Sequence, residues 1–282
     1  MELKYRTSKN AEAMASYWGK PLAKPDWYKV NALSDDAEEI MIYDVIGWPF
    51  SDASELVRHI SSLKGKEIKV RLNTPGGDVF DGMAIFNAFK NHNTKVTMII
   101  ESLAASIGSI IALAGREVQA YSNSMMMIHD PWGCVCGNQY ELRDCADLLE
   151  KMSGNMIDIY AAETSIGKRE VKQMMKDETW FTAKEAKDKG FIDAIIESGK
   201  AVKAQFDLSM YSKAPNDFGA RHKDGGRDLS SREIERALRD TGASKSFAQR
   251  VAAGYRTQEE MDTDTMAVAD ALKNTISIFS RS

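Results

Sequence analysis

Two stretches decide the reading of this chain: Ile68-Lys69-Val70-Arg71-Leu72-Asn73-Thr74-Pro75-Gly76-Gly77, and Val96-Thr97-Met98-Ile99-Ile100 running on through Glu101, Ser102 and Leu103 to Ala104-Ala105-Ser106-Ile107-Gly108. Each opens on a short β-branched run, a strand by side-chain type, and each leads into a helical pattern. A glycine pair after a strand frees backbone N–H groups to face a ligand, because no Cβ blocks the approach. A serine among alanines at the opening of a helix sits where the helix N-terminus favours developing negative charge. One segment offers an oxyanion hole and the other a nucleophile, the two parts that acyl transfer needs.

Working outward, strand and helix alternate. Strands are predicted at 39–47, 67–72 and 95–100, with helices at 53–63, 79–90 and 106–114, a spacing that implies right-handed βαβ units. Short strands follow at 118–121 and 125–128. From 138 to 163 apolar residues recur every three or four positions (Leu142, Leu149, Met156 and Tyr160 among them), which predicts one long amphipathic helix. Its apolar surface exceeds what a solvent-facing helix needs, so burial against a neighbour or a second subunit is expected. A helix at 168–175, a capping box at Thr182-Ala183-Lys184-Glu185 opening a helix to Lys189, and a strand at 191–196 complete the pattern.

The ends differ. Residues 1–36 are polar and irregular and read as an N-terminal arm. Residues 213–229 are rich in Gly, Asp and Arg without periodicity and read as a linker. Beyond them, a second capping box at Ser230-Ser231-Arg232-Glu233 and stops at Gly242 and Gly254 predict a small helical tail, 230–282.

Composition bounds the function. With 43% hydrophobic and 28% charged residues the chain can bury a full core, and a net charge of −4 gives no reason to propose nucleic-acid binding. No apolar run of about eighteen residues occurs, and the first thirty residues are too polar for a signal peptide. This predicts a soluble cytoplasmic protein with no membrane partner. Three cysteines, Cys134, Cys136 and Cys145, cannot all pair, which fits a reducing compartment. The Cys134-Val135-Cys136 spacing is too tight for a zinc site and lacks the other ligands, so neither metal nor cofactor is expected.

A serine hydroxyl needs a base, and the base needs a third group to orient it. Of the four histidines, His59 and His92 read as solvated and His222 lies in the linker. His129 closes the apolar run Met125-Met126-Met127-Ile128, at a strand end beside the expected site. It is the candidate base for Ser106.

Asn73-Thr74-Pro75-Gly76-Gly77, Ala104-Ala105-Ser106-Ile107-Gly108, Met127-Ile128-His129-Asp130-Pro131 and Trp180-Phe181-Thr182-Ala183-Lys184-Glu185-Ala186 together resemble the signature segments of the Clp protease proteolytic subunit family, in its order and nearly its spacing across 37–197. The resemblance implies a crotonase-like α/β fold with a long protruding helix, a peptidase domain at 37–212, and a serine peptidase. Ser106 would be the nucleophile, His129 the base, and the N–H groups of Gly77 and Ile107 the oxyanion hole. The acid falls on Glu178 in a gapless match from Trp180, with Asp177 beside it as the alternative. The family's usual glycine before Leu103 is Ser102 here. The resemblance also implies a homo-oligomeric ring, typically of seven subunits, enclosing the active sites.

The tail and the arm resemble a further branch, the head-maturation proteases of tailed phages and prophages, which cleave capsid and scaffold protein within the immature shell. The alternatives are a housekeeping subunit served by a separate ATPase, a catalytically inactive scaffold component, and a crotonase enzyme acting on acyl-coenzyme A thioesters.

Overall fold

The computed structural model describes residues 27–50, 52–63, 65–133, 135, 138–197, 206, 208 and 211–215. Eight strands and six helices follow one another as β1 (Tyr28–Ser34), β2 (Ala37–Tyr43), α1 (Ala53–Ser62), β3 (Glu67–Thr74), α2 (Val79–Lys90), β4 (Val96–Ala105), α3 (Ile107–Ala112), β5 (Glu117–Tyr121), β6 (Met125–Ile128), α4 (Gln139–Glu163), α5 (Lys168–Lys176), β7 (Thr179–Thr182), α6 (Ala183–Asp188) and β8 (Ala194–Ile196). The α/β class expected from the alternation is the class observed.

All eight strands form one sheet in the order β1-β2-β3-β4-β5-β8, with β6 joined to β4 and β7 to β6. The β2–β3, β3–β4, β4–β5 and β5–β8 pairs are parallel. Parallel neighbours need a crossover, and α1, α2 and α3 supply the first three. On β3 the residues Ile68, Val70, Leu72 and Thr74 are buried while their alternates are not. Buried faces of β2 and β4, with Leu56 and Ile60 of α1 and Ile85, Phe86 and Phe89 of α2, fill the same core. Each such side chain contributes about 1.5–3 kcal/mol.

The sheet forks at β4. Its first half, Thr97–Ile100, pairs with β5, and its last residues, Leu103–Ala105, pair with β6. β4 therefore runs five residues past the end expected at Ile100, because the small residues Ser102, Ala104 and Ala105 let a second strand lie against it. Ser102, where the family pattern has glycine, is accommodated fully buried.

Other departures have local causes. Residues 28–34, read as the end of an arm, form the edge strand β1, paired antiparallel with β2. Thr179–Thr182 was expected only as a lead into α6, yet it is a strand paired with β6 over four residues. The last strand is shorter than expected, beginning at Ala194 because Asp193 is spent bonding Val118 through both its backbone and side chain. His59 and His92 are not simply solvated: His59 bonds the Glu38 carboxylate at 3.2 Å and His92 the Leu63 carbonyl at 3.0 Å. Cys134, Cys136 and the tail 230–282 lie outside the described residues.

The long helix α4 is amphipathic in two halves. Its C-terminal half buries Met156, Ile157 and Tyr160, whereas Tyr140, Leu142 and Leu148 of its N-terminal half are exposed. An Asn138–Glu141 capping box fixes its start. Tyr160 reaches Ser109 of α3 at 2.6 Å, and the Ser109 hydroxyl donates to the Ser106 carbonyl at 2.6 Å. This buried chain of hydroxyls ties the long helix to the turn on which Ser106 sits. We predict that Tyr160→Phe, which removes one donor from it, lowers unfolding stability by about 1 kcal/mol; a chemical-denaturation midpoint equal to the parent's would contradict the role given to the bond.

Candidate active site

Three strand ends meet at the fork. Ser106 follows the last residue of β4, His129 follows the last residue of β6, and Glu178 precedes the first residue of β7. The register makes them neighbours: Ala105 pairs with Met127, and Ile128 pairs with Thr179. The backbone N–H of Ser106 donates to the Met127 carbonyl at 2.9 Å, closing the first of these junctions.

Ser106 is held at φ 54°, ψ −127°, in a region that non-glycine residues rarely occupy. Such a conformation costs about 1–3 kcal/mol and is tolerated where the surrounding structure over-determines it. It lifts the hydroxyl out of the strand-to-helix turn. The His129 imidazole meets it, Nε2 to Oγ at 2.7 Å. When Nε2 accepts this bond the ring proton sits on Nδ1, the tautomer a general base requires. Both side chains are buried, at 7% and 8% exposure.

The third segment approaches from β3. After Thr74, which pairs with Ala104, the chain turns through Pro75, Gly76 and Gly77. A Cβ on Gly76 would lie 2.7 Å from the Ser106 Cβ, so only glycine lets the turn come this close to the serine. Gly77 has φ +152°, and a Cβ there would sit 2.0 Å from the Ile46 carbonyl oxygen. The Ile46 N–H donates to the Gly76 carbonyl and the Asp78 N–H to the Ile46 carbonyl. In that parallel bridge the Gly77 N–H is the one not used by Ile46. Among the described residues neither it nor the Ile107 N–H meets an acceptor. Two unengaged N–H groups flanking a serine are what a tetrahedral oxyanion would need.

The carboxylates near His129 differ in their charge effects and in their hydrogen-bond partners. Burial pushes the His129 imidazole below its ordinary value, with the Glu178 charge, then that of Asp130, acting against it. The Asp177 carboxylate instead accepts from Gln173 of its own helix α5 at 2.9 Å, and Asp130 accepts from Ser153 at 2.6 Å. Of the two carboxylates expected as alternatives, Glu178 places its charge on the imidazole, while Asp177 is engaged by Gln173. Burial raises the Glu178 carboxyl, but hydrogen bonds from Lys213, Ser212 and Trp180 more than offset it, so it lies below the usual carboxylate range.

Those bonds were not foreseen. Glu178 Oε1 accepts from the Lys213 N–H at 2.6 Å and from the Trp180 indole at 3.2 Å; Oε2 accepts from the Ser212 N–H at 3.0 Å and its hydroxyl at 2.8 Å. Tyr211 stands edge-on to the His129 ring, centroids 5.3 Å apart. Residues 211–213, expected at the junction of domain and linker, thus belong to the site. The sequence signal for them is the alternation of apolar Phe206, Leu208 and Met210 with polar residues, running into Tyr211.

With this geometry in place, the comparisons with known proteins bear on it. The Clp protease family model matches residues 24–199. The ATP-dependent Clp protease proteolytic subunit 1 of Protochlamydia amoebophila is 31% identical over 177 residues, 60% of this chain and 85% of that protein. Subunit 3 of Rhodococcus jostii is 31% identical over 147 residues, covering 51% and 73%. Subunit 1 of Chlamydia pneumoniae is 33% identical over 138 residues, covering 48% and 72%.

A depressed imidazole has a definite sign. The folded state binds its proton less readily than the unfolded chain, so His129 contributes stability above the unfolded value and loses it as pH falls toward the folded one. We predict that the imidazole signal of His129, followed by NMR, titrates below about 6.5, the ordinary histidine value. Glu178→Gln should move the midpoint lower still, since it removes the anion that favours the charged ring, while Asp177→Asn leaves it in place. Equal shifts in the two variants would contradict the choice between the carboxylates.

Proposed function

This chain belongs to the Clp protease family, and on that premise we propose that it is a serine endopeptidase with Ser106 as nucleophile, His129 as general base and Glu178 as the acid. The observation that carries the reading is the 2.7 Å bond from the Ser106 hydroxyl to His129 Nε2, beside two unengaged N–H groups.

The chemistry follows from that bond. Ser106 Oγ attacks the scissile carbonyl carbon as its proton passes to Nε2. The carbonyl electron pair moves to oxygen, and the oxyanion takes hydrogen bonds from the Gly77 and Ile107 N–H groups, each supplying about 3 kcal/mol of transition-state stabilisation. The tetrahedral species collapses as the imidazolium gives its proton to the leaving amine, which departs. Water then attacks the acyl-serine as His129 takes its proton, and the second tetrahedral species collapses, breaking the ester bond as the imidazolium reprotonates Ser106 Oγ and the carboxylic acid product is released. A Glu178 carboxylate that stays ionised keeps the imidazolium favourable during both half-reactions. No step calls on a metal or cofactor.

The finer reading is a head-maturation protease of a phage or prophage, with capsid or scaffold protein as substrate. What favours it is where the surplus sequence lies. The relatives are matched over 72–85% of their own length, but the match takes in only 48–60% of this chain. The remainder includes the Gly-, Asp- and Arg-rich stretch 213–229 and the helix-capping pattern beyond it, which on this reading serve as a docking element in an assembling shell. The second reading, a housekeeping subunit working in the cytoplasm with a separate ATPase, is favoured by the names of those relatives, ATP-dependent Clp protease proteolytic subunits. These 282 residues contain no G-x-x-x-x-G-K-[ST] segment, and the reading takes the ATPase as a separate protein. Either way a homo-oligomeric ring fits the exposed Tyr140, Leu142 and Leu148 on α4, an apolar strip that a second subunit would cover.

Ser106→Ala and His129→Ala are each predicted to lower peptide hydrolysis by roughly 10^5–10^6-fold without changing the unfolding midpoint by much, since members of a triad act as a unit. A histidine variant that kept near-parental hydrolysis would sink the base assignment. The branch is tested by the masses of products after incubation with the capsid protein of the same genome. Trimming at defined sites that Ser106→Ala abolishes supports head maturation; cleavage of generic peptides without capsid trimming, together with recovery of a hexameric ATPase in a pulldown, supports the housekeeping reading.

A further inference from the structure

The triad geometry is incomplete in one respect, and the same segment accounts for it. His129 bonds Ser106 through Nε2, but among the described residues no hydrogen bond links its ring to Glu178. All of the carboxylate's partners lie elsewhere: the Trp180 indole, and the backbone and side chain of Ser212 and the backbone of Lys213. Lys213 is anchored a second time, its ammonium donating to the Asp177 carbonyl.

Tyr211 lies at the centre of this arrangement. Its ring is edge-on to His129 at 5.3 Å and to Trp180 at 5.8 Å, and its hydroxyl donates to the Pro75 carbonyl, on the turn that leads to Gly76 and Gly77. The side chain therefore bridges the two walls between which a scissile peptide must lie, the imidazole on one and the oxyanion turn on the other. Tyr211 is buried, at 5% exposure, as is Leu208, and both pack into a separate apolar cluster with Val45, Phe50, Leu103 and Met127. This second cluster is completed by residues of a segment past the end of the family match at 199.

The geometry points to residues 211–213, with Phe206 and Leu208 packed in the same apolar cluster, as an autoinhibitory strap, an inference that rests on the serine-peptidase reading of the same site. In the closed form the strap does two things at once. Tyr211 occupies the approach to Ser106, and the Ser212 and Lys213 donors hold the Glu178 carboxylate away from the imidazole. Release frees both: the cleft opens, and the carboxylate exchanges its bonds to 212–213 for the Nδ1–H of His129. Because the strap leads straight into the chain beyond 215, docking or removal of that downstream part is the natural trigger.

The test is the rate at which a fluorophosphonate labels Ser106 in the full chain, its Tyr211→Ala and Tyr211→Phe variants, and Ser106→Ala as the blank. Tyr211→Ala is expected to label faster by about tenfold or more, the factor by which a strap closed in about nine of ten molecules suppresses the reactive form. Tyr211→Phe keeps the ring and loses the bond to Pro75; it should fall between the two, and it carries the test if the alanine variant does not fold. Adding Glu178→Gln should cancel part of the gain in the Tyr211→Ala background while changing the closed parent less, because the acid acts only when released. Equal rates in parent and variants, or slower labelling in a Tyr211 variant with a parental unfolding transition, would overturn the strap and leave the peptidase standing. No labelling of Ser106 in any of these proteins would instead overturn the peptidase reading beneath it.

Discussion

The placement of β6 is the constraint on which the site depends. This four-residue strand lies between the end of β4 and the start of β7, parallel to one and antiparallel to the other. Parallel pairing puts the ends of β4 and β6 at the same edge, so Ser106 and His129 leave the sheet together. Antiparallel pairing brings the start of β7 to that edge, so Glu178 enters beside them. A slip of one residue in either ladder would turn the pleat over and send these side chains to opposite faces. The register is protected because Met126, Met127 and Ile128 are all buried, leaving no polar face that could tolerate a slip.

That arrangement explains why much of the fold and the centre of the site were legible in the sequence. The βαβ alternation is written in periodicity, and the glycine pair and the serine are written in residue types with few other uses at strand ends. The apolar run ending in His129 is buried at Met126, Met127 and Ile128. What the sequence hid was set by non-local pairing. β7 carries no strand pattern of its own, since Thr179–Thr182 alternates poorly, and becomes a strand because β6 offers it an edge. β1 is mostly exposed and is a strand because β2 offers the opposite edge. The extension of β4 through Ser102 to Ala105 likewise depends on β6 lying there.

The acid shows the same limit in electrostatic form. Sequence spacing left Glu178 and Asp177 as neighbours, and nothing local separates them. In the structure their partners differ, and those of Glu178 lie far along the chain. Asp177 ends α5 and turns back on Gln173, whereas Glu178, at φ 50°, turns toward the cleft, where the backbone of residues 212 and 213 meets it. The hydrogen bonds on the Glu178 carboxylate hold it below its ordinary value and fix its position. The donors of Ser212 and Lys213 that favour its charged form also fix its position, so charge and position are coupled to one segment of chain.

The central claim is that Ser106 is a nucleophile made reactive by His129. It is tested most directly by peptide-resolved mass spectrometry of the chain after prolonged exposure to a fluorophosphonate. The account predicts a single adduct, on the peptide containing Ser106, that disappears in His129→Ala. An adduct spread over several serines, or one on Ser106 that forms as readily without the imidazole, would contradict it.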